Sequence, residues 1–265
     1  MTKKRVKRII ATVCLMAATT GLAAEWTDSR DVEALFSDAG VSGTFVLYDV
    51  AENRFVGFDQ ARAETRYIPA STFKVPHTLI GLAEGVVNDV DQVLPYGGEP
   101  QRFSSWERDM SLRDALPISN VPIYKGLASE ITLNRMAENL ALMNYGNGEI
   151  GAVVDDFWLV GPLTVSAVEQ AVFLADLAQN ELPYPANLQE QVRDITLIEQ
   201  GDDWALHAKT GWTNAPDPNI GWWIGWVVKQ GRVYSFAVNI DIVDASDAEK
   251  RIPLGRESLI ALGVL

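Results

Sequence analysis

Two long apolar runs, Ile220–Lys229 and residues 232–240, are separated by only Gln230-Gly231. A two-residue connection between runs rich in Trp, Val, Ile, Tyr and Phe leaves an antiparallel hairpin as the economical outcome. Residues 204–209 supply another strand just before it. Near the other end of the chain, residues 44–49 and Arg54–Phe58 flank an Ala51-Glu52-Asn53 turn and form a second hairpin. Between about Ser71 and Glu199 the pattern is helical, with apolar residues at helical spacing in 131–143 and 168–178. Residues 31–39 make a helix closed by Gly40, and a last helix covers about 256–262. Strands at both ends with helices between predict an α+β fold. One antiparallel sheet is formed by both chain ends and flanked by helices, and a helical lobe is inserted. The α/β lobe covers about 25–70 and 200–265, the helical lobe about 71–199, and the cleft between them is the default site. A chain of 265 residues, 48% hydrophobic, suits this single interlocked unit.

The N-terminus reads as a processing signal. Lys3, Lys4, Arg5, Lys7 and Arg8 precede a short apolar stretch over 9–18 and the small-residue run Gly21-Leu22-Ala23-Ala24. This pattern predicts a secretory signal peptide, residues 1–24, cut near Ala23 or Ala24, with 25–265 as the mature catalytic domain. The apolar stretch is too short to span a bilayer comfortably, so no membrane association is expected after cleavage. Cleavage removes five positive charges and takes the net charge from −13 to −18. It also removes Cys14, the chain's one cysteine, which excludes thiol nucleophiles, disulfides and thiolate-bound zinc. No basic stripe is present to neutralise phosphates, so nucleic acid is not an expected partner. An anionic substrate is repelled at long range and needs cations placed locally in its site.

Three short motifs carry chemistry. Ser71-Thr72-Phe73-Lys74 is the chain's one S-x-x-K. At a helix start, positions i and i+3 share a face, which sets an amine beside a hydroxyl and turns free backbone N–H groups towards it. That pairing activates a serine without histidine if the amine accepts a proton. Alone the motif is unspecific, and its plain reading is a capping Ser with a surface Lys. Pro76 lacks the N–H that would bond the carbonyl of Thr72, which predicts an irregular first turn. Lys209-Thr210-Gly211 ends the 204–209 strand, where Lys and Thr can hold a carboxylate and Gly permits close approach. Ser119-Asn120-Val121 lies in a loop before Pro122.

Taken together and in this order, the motifs resemble the penicillin-recognising serine enzymes. Val121 in the third place of the loop motif, Tyr145-Gly146-Asn147, and Trp158-Leu159-Val160-Gly161 narrow the resemblance to the class D (oxacillinase-type) serine β-lactamases. It extends over essentially the whole mature chain, including Gly221-Trp222-Trp223-Ile224-Gly225-Trp226-Val227. The resemblance implies a small-molecule β-lactam substrate, export to the bacterial periplasm, no metal, and an acyl-enzyme on Ser71. It further implies that Lys74 captures carbon dioxide and serves as an N-carboxylated base for both acylation and deacylation. Burial among Val121, Phe73, Trp158 and Leu159 lowers the amine's pKa from its usual value, as capture requires. The Trp158 indole N–H is available to the added carboxylate, and Tyr145 supports the pocket. Backbone N–H groups of Ser71 and Trp212 form the expected oxyanion hole. Ser119 relays a proton to the leaving nitrogen. Lys209, Thr210, Gly211 and Arg251, with Val121, bind substrate, and Lys250 competes with Arg251 for the cationic role.

Other readings separate cleanly. A β-lactam sensor shares the acylating serine but is acylated once and held, whereas an enzyme turns over. A D,D-peptidase lacks the S-x-V and W-x-x-G pieces. No G-x-S-x-G elbow supports a His-based triad. His77 and His207 without a His-x-x-x-His or Cys cluster do not make a zinc hydrolase.

Overall fold

The computed structural model describes residues 24–213 and 219–265. The expected signal sequence, apart from Ala24, and residues 214–218 of the loop before the final hairpin lie outside the described residues.

The described chain begins with strand β1 (Glu25–Asp28), helix α1 (Arg30–Ala39), strands β2 (Gly43–Asp49) and β3 (Arg54–Phe58) and helix α2 (Gln60–Glu64). A 3₁₀ turn over Ala70–Phe73 leads into α3 (Lys74–Ala83). The helical lobe continues with α4 (Leu112–Ala115), α5 (Val121–Ile131), α6 (Leu133–Leu142), α7 (Phe157–Val160), α8 (Ala167–Gln179) and α9 (Ala186–Thr196). Strands β4 (Leu197–Gln200), β5 (Trp204–Trp212), β6 (Ile220–Lys229) and β7 (Arg232–Asp241) return to the sheet, and α10 (Asp247–Ala261) covers it.

The seven strands run in the order β1-β3-β2-β7-β6-β5-β4. Pairing of β2 with β7, Gly43 opposite Ile240, joins the two chain ends in one sheet. The final hairpin turns at Gln230 and Gly231, both at positive φ (50° and 77°), as a two-residue turn matching the strand twist requires. Along β6 alternate residues feed two cores. Trp222, Ile224 and Trp226 pack into the helical lobe, while Trp223 and Val227 pack beneath α1 and α10. The site lies on the helical-lobe side of this sheet.

Four details differ from the sequence reading. The sheet is mixed, because β1 pairs parallel with β3. The helix expected over 131–143 is α6, which begins only at Leu133: Ile131 ends α5, and Thr132 between them has a φ of 73° that no α-helix accommodates. Strand β5 runs on to Trp212, so the Lys-Thr-Gly motif lies within the strand: Gly211 pairs with Trp222 and Trp212 with Gly221. The last helix starts at Asp247 rather than Arg256 and carries Pro253 in its interior.

Candidate active site

The 3₁₀ turn over Ala70–Phe73 sets Ser71 at the cleft. Pro76 withholds an N–H from the carbonyl of Thr72, and regular α-helix begins only at Lys74. Ala70 is held at φ 50°, a region uncommon for a non-glycine residue. The turn is braced by the Thr72 hydroxyl, which donates to the carbonyl of Pro69 (2.7 Å). Gln170 Nε2 in turn donates to Thr72 Oγ1 (2.8 Å), and Tyr145 donates to Gln170 Oε1 (3.1 Å). Such over-determination is what keeps a strained turn in place at a site.

Lys74 is wholly buried, and its Nζ donates to Ser71 Oγ at 3.1 Å. Its walls are aromatic: Tyr124 lies 5.2 Å from the Nζ, and Phe73 stacks on Trp158 at 5.8 Å. Burial pushes the Lys74 pKa down to about 7, so a large share of the amine is neutral near physiological pH. The Trp158 indole nitrogen is buried in the same box without a hydrogen-bond partner. The tight loop at Tyr145-Gly146-Asn147 fixes the segment that follows Trp158. A Cβ on Gly146 would sit 2.2 Å from the carbonyl oxygen of Thr164, and Asn147 bonds both Thr164 N and Pro162 O (3.0 Å each).

From the other side of the cleft, Lys209 of β5 donates to Ser119 Oγ (2.5 Å) and to the carbonyl of Thr210 (2.8 Å). Ser119 is itself at positive φ, 55°. Asn120 beside it is the N-cap of α5, its side chain accepting from Ile123 N at 3.0 Å. The S-N-V sequence thus has a division of labour: a serine displayed by the turn, a cap, and Val121 as the first helical residue. Lys209 is buried, and burial together with the charges of Lys74 and Arg251 holds its pKa well below the usual lysine value.

Ser71, Ser119, Val121, Leu159, Thr210, Gly211, Trp212 and Arg251 line one cavity of about 410 Å³. Phe73, Lys74, Tyr145 and Trp158 form the wall behind Ser71. Arg251 hydrogen-bonds the carbonyl of Ala248, and its buried Nε has no partner. Lys250 is not among the lining residues. Its ammonium is spent on Asp247 (2.8 Å) and on the carbonyl of Ala39. Among the described residues, no carboxylate pairs with Lys74, Lys209 or Arg251. Lys209 and Arg251, basic groups with no counter-ion among the described residues, are placed to supply the local positive charge that an anionic substrate of so acidic a chain needs.

The cavity also has walls that the motifs do not mark: Arg102, Phe103, Trp106, Ile118 and Val160. Trp106 is anchored by its indole, which donates to the carbonyl of Ile118 (3.1 Å). Behind Ser71, Tyr124, Thr78 and His77 complete the box around Lys74. Their signal was positional: Thr78 and His77 follow Lys74 by one helical turn, and Tyr124 follows Val121 by three residues. His207, by contrast, packs flat on Trp226 at 4.4 Å and bonds the carbonyl of Arg193, remote from Ser71.

The chain is similar to known proteins over most of its length. The penicillin-binding protein transpeptidase domain family matches residues 12–259. Beta-lactamase OXA-5 of Pseudomonas aeruginosa is 37% identical over 256 residues, 96% of each chain. Beta-lactamase OXA-48 of Klebsiella pneumoniae is 36% identical over 255 residues, covering 94% of this chain and 96% of its own. The crystal structure of FUS-1 (OXA-85), a class D β-lactamase from Fusobacterium nucleatum subsp. polymorphum, superposes with a TM-score of 0.88. It shares 42% identity and covers 90% of this chain and 100% of its own. The present chain belongs to the class D serine β-lactamases, hydrolases built on the penicillin-binding transpeptidase fold.

Proposed function

We propose that Ser71 is the residue acylated when this enzyme opens a β-lactam, and that Lys74 works in its N-carboxylated form. The observation that carries the second half is the box itself. A lysine wholly buried with a pKa near 7 and no counter-ion sits with the unpartnered indole N–H of Trp158, which matches the donor an added carboxylate would use. Carbon dioxide added to the neutral amine supplies an anionic, proton-accepting group in place of a buried cation.

The chain's own residues account for the rest. Ser71 Oγ attacks the lactam carbonyl, whose oxygen rests on the backbone N–H groups of Ser71 and Trp212. Ser119 Oγ, held by Lys209, delivers a proton to the departing nitrogen. Lys209, Thr210 and Arg251 bind the substrate carboxylate by charge-assisted hydrogen bonds, and Val121 and Leu159 exclude water from the scissile bond. Gly211 lets β5 pack closely on the turn that carries Ser71. Export to the periplasm follows from the basic and apolar leader over residues 1–24. Among the described residues, no helix is long and apolar enough to cross a membrane.

The test is mass spectrometry of the mature protein with a penicillin over time, before and after acidic dialysis and with added bicarbonate. A transient mass increase on the peptide carrying Ser71, many turnovers per protein, and recovery of activity by bicarbonate are expected. A single persistent adduct would mark a sensor instead. Indifference to bicarbonate at every pH would remove the modification of Lys74.

A further inference from the structure

The box behind Ser71 holds more unmet polar atoms than Trp158 alone. His77 lies one helical turn beyond Lys74 in α3, on the same face, and is fully buried. Its ring packs against Phe73 (5.4 Å between centroids), Tyr124 (5.3 Å) and Trp158 (5.1 Å). Neither of its ring nitrogens has a hydrogen-bond partner. A leucine or phenylalanine would fill such a space without stranding a donor, so an imidazole there calls for a partner. Burial, reinforced by the charge of Lys74, pushes the His77 pKa down to about 3, so the ring is neutral and carries one N–H donor.

We propose that His77 is a positioning residue that donates a second hydrogen bond to the carboxylate borne by Lys74, alongside the Trp158 indole. The inference rests on the N-carboxylated reading of Lys74. A carboxylate has two oxygens, and the box contains two uncommitted buried N–H groups, one on Trp158 and one on His77. The Tyr124 hydroxyl shares a hydrogen bond with Thr78, whose own hydroxyl is tied to the carbonyl of Lys74. With two donors the added group is both retained and fixed in orientation towards Ser71.

The experiment titrates the mature enzyme with ¹³C-labelled bicarbonate and follows the carbamate resonance by NMR, for the parent, His77→Phe and His77→Asn. Thermal denaturation of each variant runs in parallel. Loss of one hydrogen bond predicts that His77→Phe needs about tenfold more bicarbonate for half-carboxylation. His77→Asn, which keeps a donor, should stay within about threefold of the parent. A merely structural role would lower the melting temperature of His77→Phe and leave the bicarbonate midpoint where it was, and that result overturns the proposal. So does an Asn variant no better than the Phe variant. If the parent itself gives no carbamate resonance at saturating bicarbonate, the Lys74 reading fails first and His77 falls with it. Should His77→Phe not fold, His77→Leu against His77→Asn carries the same comparison.

Discussion

The ammonium group of Lys209 donates to the hydroxyl of Ser119 at 2.5 Å, across 90 residues of sequence. This bond joins β5 to the turn before α5, and so ties the two lobes together at the cleft. It also leaves a buried lysine without a carboxylate, with Lys74 and Arg251 adding repulsion. The arrangement disfavours the charged form of Lys209 in the free enzyme, and an arriving anion favours it again. Calorimetry of a carboxylate-bearing inhibitor in two buffers of different ionisation enthalpy should therefore show net proton uptake on binding. Lys209→Met should abolish most of it. Equal heats in both buffers would rule the idea out.

Arg251 lines the cavity, whereas Lys250 is turned to Asp247. Removing a charge-assisted contact to a substrate carboxylate costs about 1.5–3 kcal/mol, or roughly 10- to 150-fold in kcat/KM. Arg251→Leu should show that loss, mainly through KM. Lys250→Ala should leave steady-state kinetics within about twofold. Reversed effects would move the cationic role to the neighbouring residue.

Trp158 is fully buried, so truncation to Ala combines the loss of its N–H with a cavity worth about 3–5 kcal/mol of stability. Trp158→Phe removes the donor while keeping an aromatic filler. The expected signature is retained acylation with deacylation slowed at least tenfold, seen as accumulated acyl-enzyme in a mass time course. A variant that turns over at the parent's rate would show that the indole does not serve Lys74.

The buried His77 and the half-buried His207 set an acid limit. His77 is pushed down to about 3 and His207 to about 4, from an ordinary value of 6.5. Between the folded and unfolded values the unfolded chain binds protons that the native protein does not, so stability is lost as pH falls from about 6.5 towards 3. Lys74 adds the same sign in the range from its ordinary value down to about 7. In carbon dioxide-free buffer, melting temperature should drop steadily from pH 6.5 to 4, and His77→Phe should flatten that slope. An unchanged slope in the variant would show that His77 is not the group being protonated.

What the sequence disclosed followed from local chemistry. Gln230-Gly231 announced a hairpin because only two residues separate two β-rich runs, and Pro76 announced the irregular turn at Ser71 by the N–H it lacks. The early start of α10 was not legible, because the helix runs through Pro253, packed on β6 and β7, where tertiary burial outweighs local propensity. Thr132 carries no breaker signal, yet it stands at positive φ between α5 and α6. In the site, the S-x-x-K, S-x-V and K-T-G residues were legible because their order is distinctive. The role open to His77 was not, since a buried histidine with two unpartnered nitrogens and one with satisfied neighbours are spelled alike.

Gly211 offers the sharpest check on how β5 and the Ser71 turn fit together. A Cβ built there would lie 2.9 Å from the carbonyl oxygen of Pro69, 2.9 Å from Thr72 Cγ2 and 3.2 Å from the Thr72 backbone nitrogen. Two of these three neighbours are backbone atoms of the turn that displays Ser71, so they cannot swing aside as a flexible side chain would. Gly211→Ala must therefore push the strand and the turn apart by several tenths of an ångström. The backbone N–H groups of Ser71 and Trp212 flank this contact, and an oxyanion hole loses much of its effect when its donors shift by that amount. Acylation should fall by about 10²-fold, with KM for a penicillin changing less, because the Arg251 contact to the carboxylate comes from α10 and not from the displaced strand. Overpacking costs about 1–3 kcal/mol, which leaves the fold intact and separates the kinetic effect from unfolding. Pre-steady-state acylation by a chromogenic cephalosporin, together with a melting curve, reads both quantities. An alanine variant that acylates at the parent's rate would mean that the turn and the strand are not locked together as the contact implies.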